Sequence, residues 1–302
     1  MPEPLCIYHG GCDDGFAAAW CVRRSLGKGV EFYPGVYQKQ PPEHDGRDVI
    51  FVDFSYKRAV LEAMARAAKS ILILDHHKTA QQDLSDLGKP PPLEIWRKDA
   101  WDGQLPQSSR IRALFDMERS GATLAWDYFV GGKRPMFIEY IEDRDLWRKR
   151  LPNVDAFTFG LRSYPQKFDI WDMLLERPTD ELIAEGRIIE RYYRLRVEEL
   201  KQSAHKAILA GHPVWIANAP VFAASEVAGE LAERDADFGA CYFEAGADRF
   251  DYELRSRGDF DVSAIAQRFG GGGHKNAAGF SAATLVHKAA VGAPRNEAGR
   301  IT

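Results

Sequence analysis

An acid and two histidines, Asp75, His76 and His77, follow directly on the four apolar residues 71–74. Such an apolar run predicts a buried strand of a parallel sheet, with the polar triplet at its carboxyl end. Open α/β sheets bind their ligands at that edge. One carboxylate with two imidazoles suits Mn, Fe, Co or Zn better than Mg or Ca. Capping of the next helix is the alternative interpretation, but three adjacent donors favour a metal or catalytic site.

Two more predicted strands end in candidate ligands. Residues 5–8 lead into His9 and the acids beyond it, and residues 49–52 lead into Asp53. Helical patterns separate these strands, which is typical of stacked strand–helix–strand units. Three successive strand ends therefore offer donors to one edge of a predicted parallel sheet.

If these donors meet at one edge of the sheet, several carboxylates lie close together there. Besides the triplet, the candidates are His9, Asp13, Asp14, Asp53 and the acid pair Asp143 and Asp145. Neighbouring carboxylates resist ionising unless cations neutralise them. Two divalent ions that share an aspartate would meet this demand and would support hydrolysis of a phosphate ester. For Asp13 and Asp145, a helix N-cap or a salt bridge is an equal alternative.

A second cluster lies towards the carboxyl end of the chain. Residues 270–273 are four glycines, followed by His274 and Asn276 and preceded by Arg255 and Ser256. Glycines leave backbone N–H groups open to a phosphate or a nucleobase, and His274 and Arg255 can supply charge or hydrogen bonds. A flexible loop is the alternative, but the polar neighbours favour a binding loop.

The composition and net charge of the chain argue against several classes of function. The 302 residues include 40 basic and 44 acidic side chains, a formal charge of −4, which argues against a long-duplex nucleic-acid binder. The four cysteines form no C-x-x-C pair, so no ordinary structural zinc site is indicated. With no basic start and no long apolar stretch, we expect a cytoplasmic protein that does not engage a membrane. A small anionic substrate remains compatible.

The order of these patterns predicts an α/β protein with two domains. We expect a parallel-sheet catalytic domain at 1–178, a long connector helix at 179–210, a smaller α/β domain at 211–285 and a tail at 286–302.

The spaced motifs resemble those of the DHH phosphoesterase superfamily, and in particular the branch with the two-domain architecture of nanoRNase/pAp phosphatases. The triplet at 75–77 corresponds to the motif that names the superfamily, and residues 9–15, Asp53 and residues 143–147 match its other amino-terminal motifs. Residues 271–279 resemble its DHH-associated substrate-binding domain.

The resemblance implies two divalent metal ions, usually manganese, in a cleft between the domains. The metal ligands that it implies are His9, Asp14, Asp53, Asp75 and Asp143, with Asp75 or Asp53 bridging. His76 would lie near the scissile phosphate as a ligand neighbour or general acid, and His77 would support the site. The residues implied to hold the terminal nucleotide are Arg255, Ser256, Gly271, Gly272, Gly273 and His274.

One position departs from the family pattern. Cys12 stands where the first acid of an Asp-x-Asp-Gly motif is expected. Either Asp13 replaces that acid through a shifted loop, or Cys12 stands beside a site with one carboxylate fewer. A thiolate ligand would favour softer ions such as Zn. In the last amino-terminal motif either Asp143 or Asp145 could face the ions, and we select Asp143.

The leading hypothesis is therefore a metal-dependent phosphodiesterase or exonuclease that hydrolyses short oligonucleotides or linear dinucleotides. One alternative is a phosphatase that acts on 3′-phosphorylated adenosine nucleotides or on polyphosphate. Another is a catalytically silent nucleotide sensor. The sequence leaves a homodimer open.

Overall fold

The computed structural model describes residues 2–37, 39–101 and 110–289. The chain divides into two compact units, Met1–Glu190 and Arg191–Thr302. The domain boundaries expected from the sequence, at 178 and 210, stay predictions. Of the expected tail, residues 290–302 lie outside the described part of the chain.

The first unit is built on a parallel sheet of five strands, three of which (β1, β3 and β4) are the predicted apolar runs. Its strands are β1 (Leu5–His9), β2 (Glu31–Gly35), β3 (Asp48–Val52), β4 (Ser70–Asp75) and β5 (Ile111–Phe115). They lie in the order β2-β1-β3-β4-β5. The chain therefore extends the sheet in opposite directions from β1 and β3, and a crevice forms outside the strand ends where the direction reverses.

Helices cover both faces of this sheet. They are α1 (Asp13–Leu26), α2 (Arg58–Ala67), α3 (Lys78–Leu84), α4 (Leu93–Trp101), α5 (Gly121–Ala125), α6 (Met136–Asp145), α7 (Val154–Arg162) and α8 (Phe168–Glu176). A π-helical segment, Trp126–Val130, continues α5. Every residue of β3 and β4 is buried, which is why these strands read as continuous apolar runs rather than as alternating ones. Ala17, Ala18 and Ala19 of α1 are also fully buried in the core of this unit.

A long helix, α9 (Thr179–Lys201), contains the boundary between the units. Leu182 and Ile183 join the core of the first unit, and Val197 joins a core of the second. The prediction that the helix extends to about residue 209 is wrong, because β6 (His205–Leu209) replaces its end. Ala207 and Leu209 are buried between exposed neighbours, which is the alternation of a strand.

The second unit contains a mixed sheet of seven strands, which confirms a smaller α/β domain after the long helix. Its remaining strands are β7 (His212–Asn218), β8 (Phe238–Gly246), β9 (Arg249–Arg255), β10 (Gly272–His274), β11 (Ala277–Ala282) and β12 (Lys288–Ala289), with helices α10 (Val221–Leu231) and α11 (Val262–Arg268). The order is β10-β11-β9-β8-β7-β6-β12. Only the β7–β8 pair is parallel in this described sheet.

A search of the described residues finds no helix with the length and apolar character needed to cross a membrane.

Candidate metal centre

The ends of β1, β3 and β4 bring donors together at the crevice of the first sheet, as their positions in the sequence predict. Two groups of side chains have ligand atoms within 4.8 Å of one another. One group is His9, Asp53 and His77, and the other is Asp14, Asp53 and His76. Asp53 belongs to both groups, so its carboxylate occupies the position of a bridge between two ion sites.

Asp53 is held in an unusual backbone conformation. It follows β3 directly, is 1% exposed, and has a φ of 55°, in the left-handed region that disfavours a side chain. Its N–H donates to the Leu74 carbonyl of β4 at 2.9 Å. Strain of this kind persists only where the surrounding structure imposes it, and it is frequent at functional sites.

The Asp53 carboxylate contacts histidines on both sides. His76 Nε2 lies 3.0 Å from Oδ1 and His9 Nδ1 lies 3.4 Å from Oδ2. Burial raises the pKa of Asp53, but the interactions with His76 and His9 and the charge of His77 outweigh burial and hold it below its usual value. The long contact with His9 leaves the buried Oδ2 atom without a well-formed hydrogen bond among the described residues. A cation would supply that missing interaction.

Asp14 is fixed by the first turn of α5. Its Oδ2 accepts from the Gly121 N–H at 2.6 Å and its Oδ1 accepts from the Ala122 N–H at 3.0 Å. Burial, together with the charges of Asp53 and Asp145, raises the pKa of Asp14 well above its usual value. In the absence of a cation, the neighbouring carboxylates of Asp14, Asp53 and Asp145 therefore oppose one another's ionisation.

His76 lies among these acids. Burial lowers its pKa, but the hydrogen bond to Asp53 and the charges of Asp14 and Asp145 outweigh burial and raise it to about 10. Burial and the charge of Asp53 raise the pKa of Asp145 to about 6. The protonated His76 ring thus supplies positive charge among these acids in the metal-free protein. A divalent ion would supply positive charge at the same place.

Asp75 supports His77 rather than joining either donor group. Its Oδ1 accepts from His77 Nδ1 at 2.7 Å and from the backbone N–H groups of His76 and His77 at 2.7 and 3.2 Å. A carboxylate behind an imidazole is a common arrangement at metal sites, because it fixes the ring and its tautomer. The implied role of Asp75 as a direct metal ligand stays a prediction.

The structure places the two acids at the end of α6 in different surroundings, and the selection of Asp143 as a ligand stays a prediction. Both oxygens of Asp143 accept backbone N–H groups, from Arg150 and from Leu151, each at 3.0 Å. Asp145 Oδ2 instead lies 3.5 Å from His76 Nε2. Side chains two positions apart on a helix point in different directions, so only one of these acids can face the cluster. The structure brings Asp145, not the selected Asp143, to the centre.

Cys12 and Asp13, whose roles the sequence leaves open, both lie outside the two donor groups. Asp13 Oδ2 accepts from Arg162 Nε at 2.6 Å, which makes Asp13 a salt-bridge partner. Cys12 is the residue that precedes α1, and its sulfur belongs to neither donor group. Burial and the nearby charges of Asp53, Asp145 and Asp14 raise the pKa of the Cys12 thiol well above its usual value. Without a metal ion, Cys12 is therefore an uncharged neighbour of the donor groups.

Sequence reasoning misses two residues that shape this centre. A Cβ atom at Gly121 would overlap the Cβ of Asp53 and would come within 2.9 Å of Asp14 Oδ2. The sequence pattern marks the Ser120-Gly121 pair only as a helix start. The other missed residue is Tyr37, whose ring lies 5.7 Å from that of His9 in an edge-to-face arrangement. No pattern in the sequence marks it.

The predicted substrate-binding residues of the second unit lie around the β10–β11 hairpin. Gly271, Gly272, Gly273 and His274 lead into or form β10, and a Cβ at Gly271 or Gly273 would overlap the backbone of β11. Ser256 donates its hydroxyl proton to the Phe260 carbonyl at 2.7 Å and accepts from Asn276 Nδ2 at 3.0 Å. Arg255 donates to Ser225 Oγ at 2.7 Å. Gly271, Gly273 and Ser256 thus have structural roles in this hairpin, and nucleotide binding by the set stays a prediction.

Comparisons with solved structures identify the fold as that of DHH-domain proteins. A DHH domain from a member of the s1p family of ribosomal proteins matches with a TM-score of 0.51 and 11% identity, over 92% of this chain and 82% of that one. A pGpG-specific phosphodiesterase, PggH from Vibrio cholerae, has a TM-score of 0.44 and 10% identity, over 94% of each chain. RecJ from Thermus thermophilus, in complex with Mn²⁺, has a TM-score of 0.48 and 16% identity, over 93% of this chain and 50% of that one.

Sequence comparison gives one relative of undescribed activity. The uncharacterized protein R106 of Acanthamoeba polyphaga mimivirus is 29% identical over 301 residues. The match covers 91% of this chain but 66% of the viral protein, slightly under two thirds of its length. No protein-family model matches the chain.

The close approach of Gly121 to Asp53 gives a first testable prediction. We expect Gly121→Ala to displace Asp53 and Asp14 and to lower Mn²⁺ affinity about 10- to 100-fold, the range found when partners of metal ligands are changed. Calorimetric titration and thermal melting would measure this. The matched control is Gly229→Ala in α10, where an added Cβ meets no atom within 4 Å. That change should stabilise the protein by about 0.5–1 kcal/mol. An unchanged Mn²⁺ affinity in Gly121→Ala would contradict the inference that the close approach of Gly121 keeps Asp53 and Asp14 in position.

Replacement of Asp143 and replacement of Asp145, the two acids at the end of α6, should have different effects on stability and on Mn²⁺ binding. Asp143→Asn places a donor opposite one of two partly buried backbone N–H groups, so we expect a loss of about 1 kcal/mol in the free energy of unfolding. Asp145→Asn removes a like charge and should leave the metal-free protein as stable as before, or more stable, while weakening Mn²⁺ binding. Urea unfolding without metal and Mn²⁺ titration would separate the effects. Weaker Mn²⁺ binding in Asp143→Asn, together with unchanged binding in Asp145→Asn, would instead identify Asp143 as the ligand.

Cys12→Ser should leave the Mn²⁺ stoichiometry unchanged, because the Cys12 sulfur lies outside both donor groups. His9→Ala is the contrasting variant and should weaken one of two binding events. Loss of a bound ion in Cys12→Ser, measured by elemental analysis of the dialysed protein, would show instead that the sulfur is a ligand.

Proposed function

We propose that this protein is a metal-dependent phosphodiesterase that hydrolyses short oligonucleotides or linear dinucleotides. The observation that carries the proposal is the single buried carboxylate of Asp53, shared by two groups of donors at the crevice of the sheet. The motif resemblance and the fold agree with this class of chemistry.

The donors fit a pair of divalent ions. One ion would be held by His9, Asp53 and His77, and the other by Asp14, Asp53 and His76, with Asp145 beside it. Two buried oxygens, Oδ2 of Asp53 and of Asp75, support this fit because neither accepts a well-formed hydrogen bond among the described residues. Manganese is the ion that the family resemblance implies. When bound, such ions polarise phosphoryl oxygens and make water more acidic.

The chain's own residues would prepare this site. The hydrogen bond from His77 Nδ1 to Asp75 fixes the tautomer in which the proton lies on Nδ1. The N–H groups of Gly121 and Ala122 hold Asp14 in place before any ligand arrives. Donors fixed in advance reduce the reorganisation needed when the reaction begins.

Charge supports a small substrate rather than a long nucleic acid. The formal charge of −4 provides no broad attraction for a duplex. In the second unit, Arg255 and the glycine hairpin are the features that we assign to the terminal nucleotide. A substrate held at one end would require only such local contacts.

Product analysis would test this function against its alternatives. With Mn²⁺ present, we expect cleavage of labelled pGpG or pApA to mononucleotides, and slower cleavage of longer strands. The same assay with pAp and with polyphosphate, read as released phosphate, tests the phosphatase alternative. Nucleotide binding without hydrolysis of any of these substrates would support a catalytically silent nucleotide sensor.

The bridging position of Asp53 sets the control for this assay. Asp53→Asn should lower kcat by at least about 10³-fold, because it weakens both ion sites at once. Asp13→Asn, which affects contacts with Arg162 and Gln166 outside the donor groups, should retain activity within a few-fold. Absence of cleavage of every short oligomer by the Mn²⁺-loaded wild-type protein would refute the proposal, and an active Asp53→Asn variant would refute the shared site.

A further inference from the structure

Tyr37 lies against the histidine side of the metal centre. Its ring centroid is 5.7 Å from that of His9 and 6.5 Å from that of His77, both in edge-to-face arrangements. On its remaining side it packs against Phe54 at 4.8 Å. These contacts fix the ring relative to one of the two donor groups.

Tyr37 is nevertheless open to solvent. The residue is 47% exposed, although it contacts the most buried part of the unit. Its hydroxyl is close enough to the centre for the charges of Asp75 and Asp53 to act on it. Among the described residues no hydrogen bond to this hydroxyl is formed. A fixed phenol therefore presents an unused O–H donor beside a candidate phosphoesterase centre.

We propose that the Tyr37 hydroxyl binds substrate, by donating a hydrogen bond to a non-bridging oxygen of the scissile phosphate. This inference rests on the proposed function, since it assumes that a phosphoester enters the crevice. A phenol is protonated at neutral pH and can donate its O–H, so the group acts as a donor and not as a base. A phosphate oxygen is the natural acceptor, because it carries the negative charge that the ions attract to this place.

The ring and the hydroxyl make separable contributions. The ring packs against His9 and His77, and a phenylalanine would preserve that packing. The hydroxyl has no protein partner in the described chain, so its removal should not disturb the ligands. Tyr37→Phe therefore tests substrate contact, while Tyr37→Ala also tests support of the metal site.

Tyr56 offers a matched control for the loss of a hydroxyl. Its ring also packs against Phe54, at 5.0 Å, and its buried hydroxyl likewise has no hydrogen-bond partner in the described residues. It belongs to neither donor group. Tyr56→Phe thus makes the same chemical change one ring further from the centre.

The experiment measures AMP binding and dinucleotide cleavage by the Mn²⁺-loaded full-length protein. In Tyr37→Phe we expect the Kd for AMP to rise about fivefold or more and kcat/KM to fall about 10- to 100-fold, as for loss of a hydrogen bond to a charged group. Mn²⁺ stoichiometry and melting temperature should stay at wild-type values. Tyr56→Phe should match the wild type in AMP affinity and in kcat/KM.

Several outcomes would overturn the inference. Tyr37→Phe with wild-type AMP affinity and turnover would show that the hydroxyl contacts no phosphate. Loss of Mn²⁺ in Tyr37→Phe would assign the hydroxyl to the metal site instead. Wild-type protein that fails to bind AMP with Mn²⁺ would also refute it. If wild type binds AMP but cleaves nothing, the proposed function fails, while weaker AMP binding in Tyr37→Phe would still support the contact.

Discussion

The position of the Asp53 carboxylate is the constraint on which the rest of the centre depends. It lies where the sheet reverses its direction of growth, between the ends of β1 and β4, and only there can one side chain reach His9 and His76 together. The left-handed backbone of this residue shows that the fold imposes this position at a local cost. Histidines on both sides stabilise the charged carboxylate, so the strain is offset by electrostatic contacts in the metal-free protein as well.

That position also determines what can pack behind it. Gly121 approaches Asp53 so closely that a side chain would not fit, and the same turn of α5 supplies the N–H groups that hold Asp14. Glu142 in turn accepts hydrogen bonds from the Ser120 N–H and from the Thr123 hydroxyl, which stabilises this turn from the side of α6. The acids of the centre are therefore connected through one short helix rather than placed independently.

The sequence predicts those parts of the site that follow from strand ends. His9, Asp53 and the triplet at 75–77 each follow a buried apolar run, and parallel strands necessarily bring such residues to one edge. The sequence does not decide between Asp143 and Asp145, because both acids end the same helix and the direction in which each points is not visible in the sequence. Tyr37 could not be predicted, because it follows an edge strand, β2, which contains Pro34 and shows no apolar run. The predicted end of α9 is wrong because residues 205–209 are too few for their alternation to stand out from a helical pattern that precedes them.

The two donor groups differ in their chemistry. The first contains two imidazoles and one carboxylate, whereas the second contains two carboxylates and one imidazole, with the Asp145 carboxylate nearby. Nitrogen donors suit borderline ions such as Zn, Fe or Co, while a set rich in carboxylates suits Mn or Mg. Cys12 does not reduce this difference, because its sulfur belongs to neither donor group. The shared Asp53 thus lies between two positions of unequal charge, and the larger share of the negative charge lies on the side of Asp14 and His76.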